Sequence, residues 1–257
     1  AGNGAVMKNL TLDGSIDGAV YSTDKDYTAY SVCIGALVAC VETDATISDV
    51  QSNVSISVPD VQASGIKTLN YYVGGIVGVG ENVTLLRCGN SGALSVMNTF
   101  STENHVGGLV GYVNAHFSIT MEQCRNTGKI DVNPATERLW AGGLIGNLDG
   151  GPVSIANCYN AGDVTNHATD TDEYMTRRIG GLIGRTPGVS DYNSMRQSYT
   201  NCFNVGAVTS GDKGTCGALF GILGYWGVTA ENLYYLTGTA DKGCSWTSLE
   251  TDPSIVK

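Results

Sequence analysis

The segment Gly107-Gly-Leu-Val-Gly111, followed by Cys124-Arg-Asn-Thr-Gly128 and the tail Lys129-Ile-Asp-Val132, decides the fold. The first core returns as Gly35-Ala-Leu-Val-Ala39, Gly74-Gly-Ile-Val-Gly78, Gly142-Gly-Leu-Ile-Gly146, Gly180-Gly-Leu-Ile-Gly184 and Gly217-Ala-Leu-Phe-Gly221. Its starts lie 39, 33, 35, 38 and 37 residues apart. The second core returns as Cys88-Gly-Asn-Ser-Gly92, Cys158-Tyr-Asn-Ala-Gly162 and Cys202-Phe-Asn-Val-Gly206, trailing the first by 14 to 22 residues. Degenerate copies surround Leu10, Val50 and Leu233. Self-similarity at a period of roughly 20 to 50 residues marks a solenoid, a propeller or an array.

The apolar residues inside each repeat choose among these. Ile119, Met121 and Cys124 share one run; Asn126 and Gly128 make a corner; Ile130 and Val132 then alternate with Lys129 and Asp131. Alternation with period two means strands, and the runs are too short for helices. Three short strands per repeat predict an all-β chain, a right-handed parallel β-helix (solenoid) of about six coils, stacked about 4.8 Å apart. A β-propeller is the alternative architecture. Its blades carry a fourth strand and about 40–45 residues, whereas the repeats here are shorter and uneven. Residues 1–241 are expected to form the solenoid and residues 242–257 a C-terminal capping segment, because Lys242–Lys257 carries no repeat.

Stacked coils place equivalent residues above one another. Leu109, Leu144, Leu182 and Leu219 therefore predict one interior column, and Cys88, Cys124, Cys158 and Cys202 another, with Leu10, Val50 and Leu233 filling the same slot. A position that takes Leu, Val or Cys asks for a buried hydrophobe. Cys33/Cys40 and Cys216/Cys244 lie outside that column and are open to pairing or to packing; Cys216 takes the slot of Val73, Val106 and Ile179. Asn90, Asn126, Asn160 and Asn204 are expected in left-handed corners with their amides bonded from coil to coil. The corner glycines are expected at positive φ.

The Gly-Gly-Leu-Val/Ile-Gly cores with the downstream Cys-x-Asn-x-Gly resemble the GLUG-motif repeats over about residues 5–237. These repeats occur in bacterial surface and adhesin-like proteins and in the non-catalytic part of immunoglobulin A-cleaving metallopeptidases. The resemblance implies a β-solenoid, export and surface attachment or binding, with no catalytic residues. The first repeat departs from the pattern, with Ala36 and Ala39 for Gly and Val50 for Cys.

Composition agrees with an extracellular, cell-surface location. Of 257 residues, 35 are glycine and 15% are charged, and the net charge is −10. Nucleic acid needs a basic surface and is not an expected partner. No run of about 18 apolar residues exists, so membrane insertion is not expected. The chain opens at Ala1 in mid-pattern, the start expected of a mature or trimmed product. A monomer, or part of a larger surface protein, is the expected state.

Chemistry-bearing motifs are scarce. HExxH, GxSxG and phosphate-binding loops are missing from the sequence, and no cysteines or histidines have zinc-ligand spacing. No cofactor, metal or catalytic residue is expected. His105 and His167 read as exposed loop residues. The carboxylates of Asp170, Asp172 and Glu173 read as a solvated loop neutralised by Arg177 and Arg178. The better candidates are surfaces. The residue after the ladder Cys should point outward: Arg125, then Tyr159, Phe203 and Tyr234, whose three rings would form a flat strip for stacking sugar rings. The insertion Arg185–Gln197, with Arg185 and Tyr192, offers a recognition loop. The expected role is adhesion or scaffolding toward a host protein or glycan. A carbohydrate-active enzyme or binding module, or an inert spacer, is the alternative.

Overall fold

A computed structural model of the protein describes residues 4–18, 29–60, 68–98, 101–133, 138–169, 176–186, 196–211, 215–224, 228–244 and 255–256. It is the right-handed parallel β-helix that the repeat predicts. Every strand pair among the described residues is parallel, which the antiparallel blades of a propeller would not give. One coil illustrates the rest. Glu103–Gly107 runs inward and Val110–Val113 runs back out. Ile119–Glu122, Arg125–Asn126 and Ile130–Val132 then form a bent outer wall. The inward and outward strands stack into two sheets of 6 strands each, and the wall segments form a third of 17.

The inward and outward strands form an arch, and glycine is what closes it. A Cβ on Gly107 would lie 1.9 Å from the Val110 carbonyl oxygen, and one on Gly111 would lie 2.7 Å from the Val73 nitrogen of the coil before. No side chain fits between backbones that close. At the tip, Gly108 meets the wall, since its Cβ would sit 2.5 Å from Cγ of Asn126. The arch thus divides the interior into two apolar lobes. Leu109, Val110 and Val113 join Met121 and the ladder cysteines in one. Val106 joins Ile130 and Val132 in the other. The leucine column (Leu109, Leu144, Leu182, Leu219) is at most 2% exposed.

The cysteine column is a core column as well. Cys88, Cys124, Cys158 and Cys202 are buried, and no disulfide forms among the eight cysteines, all of them described residues. The amide of Cys124 donates to the sulfur of Cys158 at 3.3 Å. Leu10 shares the register but is 38% exposed, because among the described residues no coil covers it. Cys216 stacks on Ile179, as its slot predicts.

The asparagine ladder forms as expected. Asn90 donates to Asn126 at 2.9 Å, Asn126 to Asn160 at 2.8 Å, and Asn160 to Asn204 at 2.8 Å. Its backbone basis differs from the expectation. Neither these asparagines nor Gly92, Gly128, Gly162 and Gly206 have positive φ. At these corners the left-handed residues are instead those just before the cysteine-column position: Asn9, Asp49, Arg87, Gln123, Asn157, Asn201 and Asn232, at φ 52–57°. The corner glycines serve close approach, since a Cβ on Gly128 would lie 2.1 Å from the Gly92 oxygen. At the C-terminal end, Ala218 donates to Lys242, Leu219 to Gly243, and Ile255 pairs with Leu233 in register. Among the described residues, Lys242, Gly243 and Ile255 thus bond to or pair with the last coil.

Candidate functional site

The arch opens outward as its strands diverge from the glycine contacts, and the mouth is a groove of about 550 Å³. Two columns face each other across it. The inward strand contributes the residue two before its first glycine: Tyr72, His105 and Trp140, in a register column that Cys33 and Arg178 continue beyond the groove. The outward strand contributes Tyr112, Asn147 and Arg185, in a register column that begins with Cys40 and Val79.

His105 is the centre of the groove floor. It is 3% exposed, which corrects the reading of an exposed loop histidine. The rings of Tyr72, Tyr112 and Trp140 surround it at centroid distances of 4.7, 4.9 and 4.6 Å. Its tautomer follows from its partners. Arg185 can only donate, so the Asn147 atom it contacts at 3.2 Å is the oxygen. The Asn147 amide nitrogen then donates to His105 Nδ1 at 3.2 Å, which places the ring proton on Nε2, facing Glu103 Oε2 at 3.4 Å. Burial pushes the His105 pKa below its ordinary value and outweighs the nearby Glu103 carboxylate, so the ring is neutral at pH 7.

Two ion pairs frame the mouth. Arg138 donates to Glu103 at 2.6 Å on one wall, and Arg185 donates to Asp149 at 2.9 Å on the other. The hydrogen bond to His105, working against burial and helped by Arg138, holds the Glu103 carboxyl down to about 2. Tyr112 donates to Asp149 at 3.1 Å. Burial and that carboxylate push the Tyr112 phenol well above its ordinary range. The Arg185 guanidinium also lies 5.6 Å from the Trp140 ring centre, a cation–π contact. The groove therefore presents tyrosine rings, fixed carboxylates and arginines on a rigid double-stranded frame.

The residues singled out from the sequence fall in separate places. Arg125, Tyr159, Phe203 and Tyr234 share one outward column, as alternation predicts. Tyr159 and Phe203 stack on each other at 4.8 Å and 3° between planes. These two rings thus cover each other's faces and turn their edges to solvent, rather than presenting a flat strip. Arg125 reaches over Gly89 to donate to Gln51 at 2.8 Å. At the C-terminal end of the column, Phe203, Val205, Tyr234 and Leu236 border an apolar notch of about 420 Å³. Arg185 ends a strand of the groove, and residues 187–195 of the insertion lie outside the described residues. Tyr192, Asp170, Asp172 and Glu173 lie outside the described residues. Arg177 is 1% exposed inside the solenoid, and so is no part of a solvated loop. His167 is exposed and sits 3.0 Å from Asp131. No group of three potential metal ligands occurs among the described residues.

Sequence reading missed Tyr72, Glu103, His105, Tyr112, Arg138, Trp140, Asn147 and Asp149. A positional signal exists for five of them: Tyr72, His105 and Trp140 stand two residues before the first glycine of a core, and Tyr112 and Asn147 five after it. No protein-family model, curated protein or solved structure matches the chain.

Proposed function

We propose that this chain is an exported bacterial cell-surface adhesion or scaffold module that holds a glycan or a segment of a host protein in the groove of the arch. The observation that carries the reading is the groove itself: about 550 Å³ of preformed space, lined by Tyr72, Tyr112 and two ion pairs. Its size falls within the range of small-ligand sites, and hydrogen-bonded carboxylates and arginines suit hydroxyl-rich ligands. The low charge content and the GLUG-like cores support export and surface display. A binding screen against immobilised glycans and host matrix proteins tests it. Wild type should bind a ligand that the Tyr72→Ala/Tyr112→Ala variant loses by at least tenfold, while Phe203→Ala/Tyr234→Ala keeps it. The reverse order would move the site to the notch.

A carbohydrate-active enzyme is the second reading, favoured by Glu103 and Asp149 facing one groove. Both carboxylates are held by arginines, and Glu103 has no proton to give at neutral pH. That supports binding over acid catalysis. Release of new reducing ends from a polysaccharide panel, lost in Glu103→Gln, would reverse the preference.

A further inference from the structure

The arch of the first coil carries two thiols at the positions that line the groove in later coils. Cys33, on the strand Ala29–Gly35, stacks on Tyr72, and Cys40, on Val38–Val41, stacks on Val79. The two columns they begin face each other across the arch. Two coils on, the same positions hold His105 and Tyr112, whose ring centres lie 4.9 Å apart. Cys33 and Cys40 are 7 residues apart, as are His105 and Tyr112, so the first coil sets the two cysteines opposite each other. The backbones bring them close. A Cβ on Gly78 would lie 2.9 Å from Ile34 N and 2.5 Å from Ala39 O. These atoms belong to the peptide group leaving Cys33 and the one entering Cys40, so the two groups approach within about 5.4 Å. Disulfides join residues whose Cα atoms lie about 4.4–6.8 Å apart, a spacing that peptide groups this close make accessible.

Access separates this pair from the cysteine column. Cys33 and Cys40 are partly exposed, whereas Cys88, Cys124, Cys158 and Cys202 are at most 1% exposed. Burial, and then the charge of Cys40, push the Cys33 thiol up; burial, Glu42 and Glu81 do the same for Cys40. Both are therefore thiols at neutral pH, and exchange through the thiolate needs mildly alkaline conditions. We propose that Cys33 and Cys40 form a disulfide that ties the two arms of the arch together beside Tyr72, with a low-molecular-weight disulfide as the oxidant. One cysteine, as thiolate, attacks the oxidant's S–S bond, releases one small thiolate and leaves a mixed disulfide. The other then attacks the protein-side sulfur and releases the second. The two S–H protons end on the two small thiols, the oxidant is reduced, and the chain loses two hydrogens. The structure holds the pair as the dithiol. Export, as proposed above, would supply an oxidising setting, but the bond does not depend on the groove holding a ligand.

A glutathione redox buffer at about pH 8.5 tests this on the full chain, starting from the dithiol. After acid quenching, unfolding, alkylation and trypsin digestion, both cysteines fall in the peptide 26–67. That peptide holds no other cysteine and no internal Lys or Arg. Linked, it should be unalkylated and about 2 Da lighter than the dithiol form. Short sequence spacing alone links some of the pair in any state, so the same chain unfolded in urea is the reference. Folding should raise the ratio of linked peptide to glutathione-bearing peptide by at least about tenfold, because the arch orients the two sulfurs. A smaller rise, or none, overturns the proposal, since the arch then does not hold the sulfurs within bonding reach. A folded chain whose peptide 26–67 stays fully alkylated overturns it as well, and so does a link from Cys33 or Cys40 to any other cysteine.

Discussion

Replacing Asn126 by alanine removes the middle of the amide ladder, and the structure allows its cost to be worked out. The buried Asn126 amide makes four hydrogen bonds. It donates to Gly128 O and Asn160 Oδ1, both at 2.8 Å, and accepts from Asn90 at 2.9 Å and from Gly128 N at 3.2 Å. In Asn126→Ala, Asn90 still bonds Gly92 O, and Asn160 still accepts from Gly162 N. The Gly128 N–H and C=O both lose their side-chain partner in a buried corner. Two unsatisfied backbone groups at about 1–3 kcal/mol each give a loss of about 2–6 kcal/mol. Arg125→Ala, on the outer face of the same strand, should cost at most about 1 kcal/mol. Urea denaturation followed by circular dichroism measures both. Hydrogen exchange locates the damage, which should centre on the amides of residues 124–130 and their neighbours in the adjacent coils, since coils support mainly their nearest neighbours. A loss below about 1 kcal/mol for Asn126→Ala would refute the ladder as a structural element. So would equal losses for the two variants.

Four further outcomes follow from the same geometry. Gln123 holds φ at 55°; asparagine tolerates that region better, so Gln123→Asn should raise stability by about 0.5–1 kcal/mol in the same urea assay. Gly107→Ala should prevent folding or cost more than about 3 kcal/mol by the same measure, because its Cβ would lie 1.9 Å from a backbone oxygen. The Glu103 carboxyl is depressed from 4.5 to about 2 on folding, so its contribution is complete above about pH 4.5 and lost as pH falls toward 2; an acid-unfolding profile of Glu103→Gln should lack that part of the slope. In the native protein, iodoacetamide should label the partly exposed Cys33, Cys40 and Cys216 well before Cys88, Cys124, Cys158, Cys202 and Cys244, as peptide mass mapping would record.

Much of this fold is legible in the sequence because stacking turns a linear repeat into columns. Once Cys88, Cys124, Cys158 and Cys202 share a column with Val50 and Leu233, burial is the simplest environment that suits all of them. The asparagines read the same way, since an amide carries both the donor and the acceptor that a ladder needs. The arch is less legible. Period-two alternation identifies strands but does not say that two consecutive strands pack through their glycines; the paired glycines read equally as close backbone approach or as a tight bend. The corner residues at positive φ were misplaced for a related reason. Asn and Gly are the usual occupants, yet Arg87 and Gln123 hold that conformation because the coils on either side fix the path. The groove was hidden by sequence distance. His105 and Asn147 lie 42 residues apart and Asn147 and Arg185 lie 38 apart, and none belongs to a motif. His105 follows an irregular linker and resembles a loop residue until Tyr72 and Trp140 are stacked on either side of it.

All of these conclusions depend on parallel, in-register stacking, and one distance tests that directly. Ser57, Ser95, Asp131, Thr165 and Thr209 form a single outward column. Ser57 and Thr209, both exposed, stand four coils apart. At about 4.8 Å per coil their backbones are about 19 Å apart. Nitroxides attached through ketone-bearing unnatural residues at these two positions would leave the native thiols untouched. Electron–electron double resonance should give a narrow distribution centred within about 6 Å of that spacing. A broad distribution, or a centre beyond about 30 Å, would contradict the stacked solenoid and the groove built upon it.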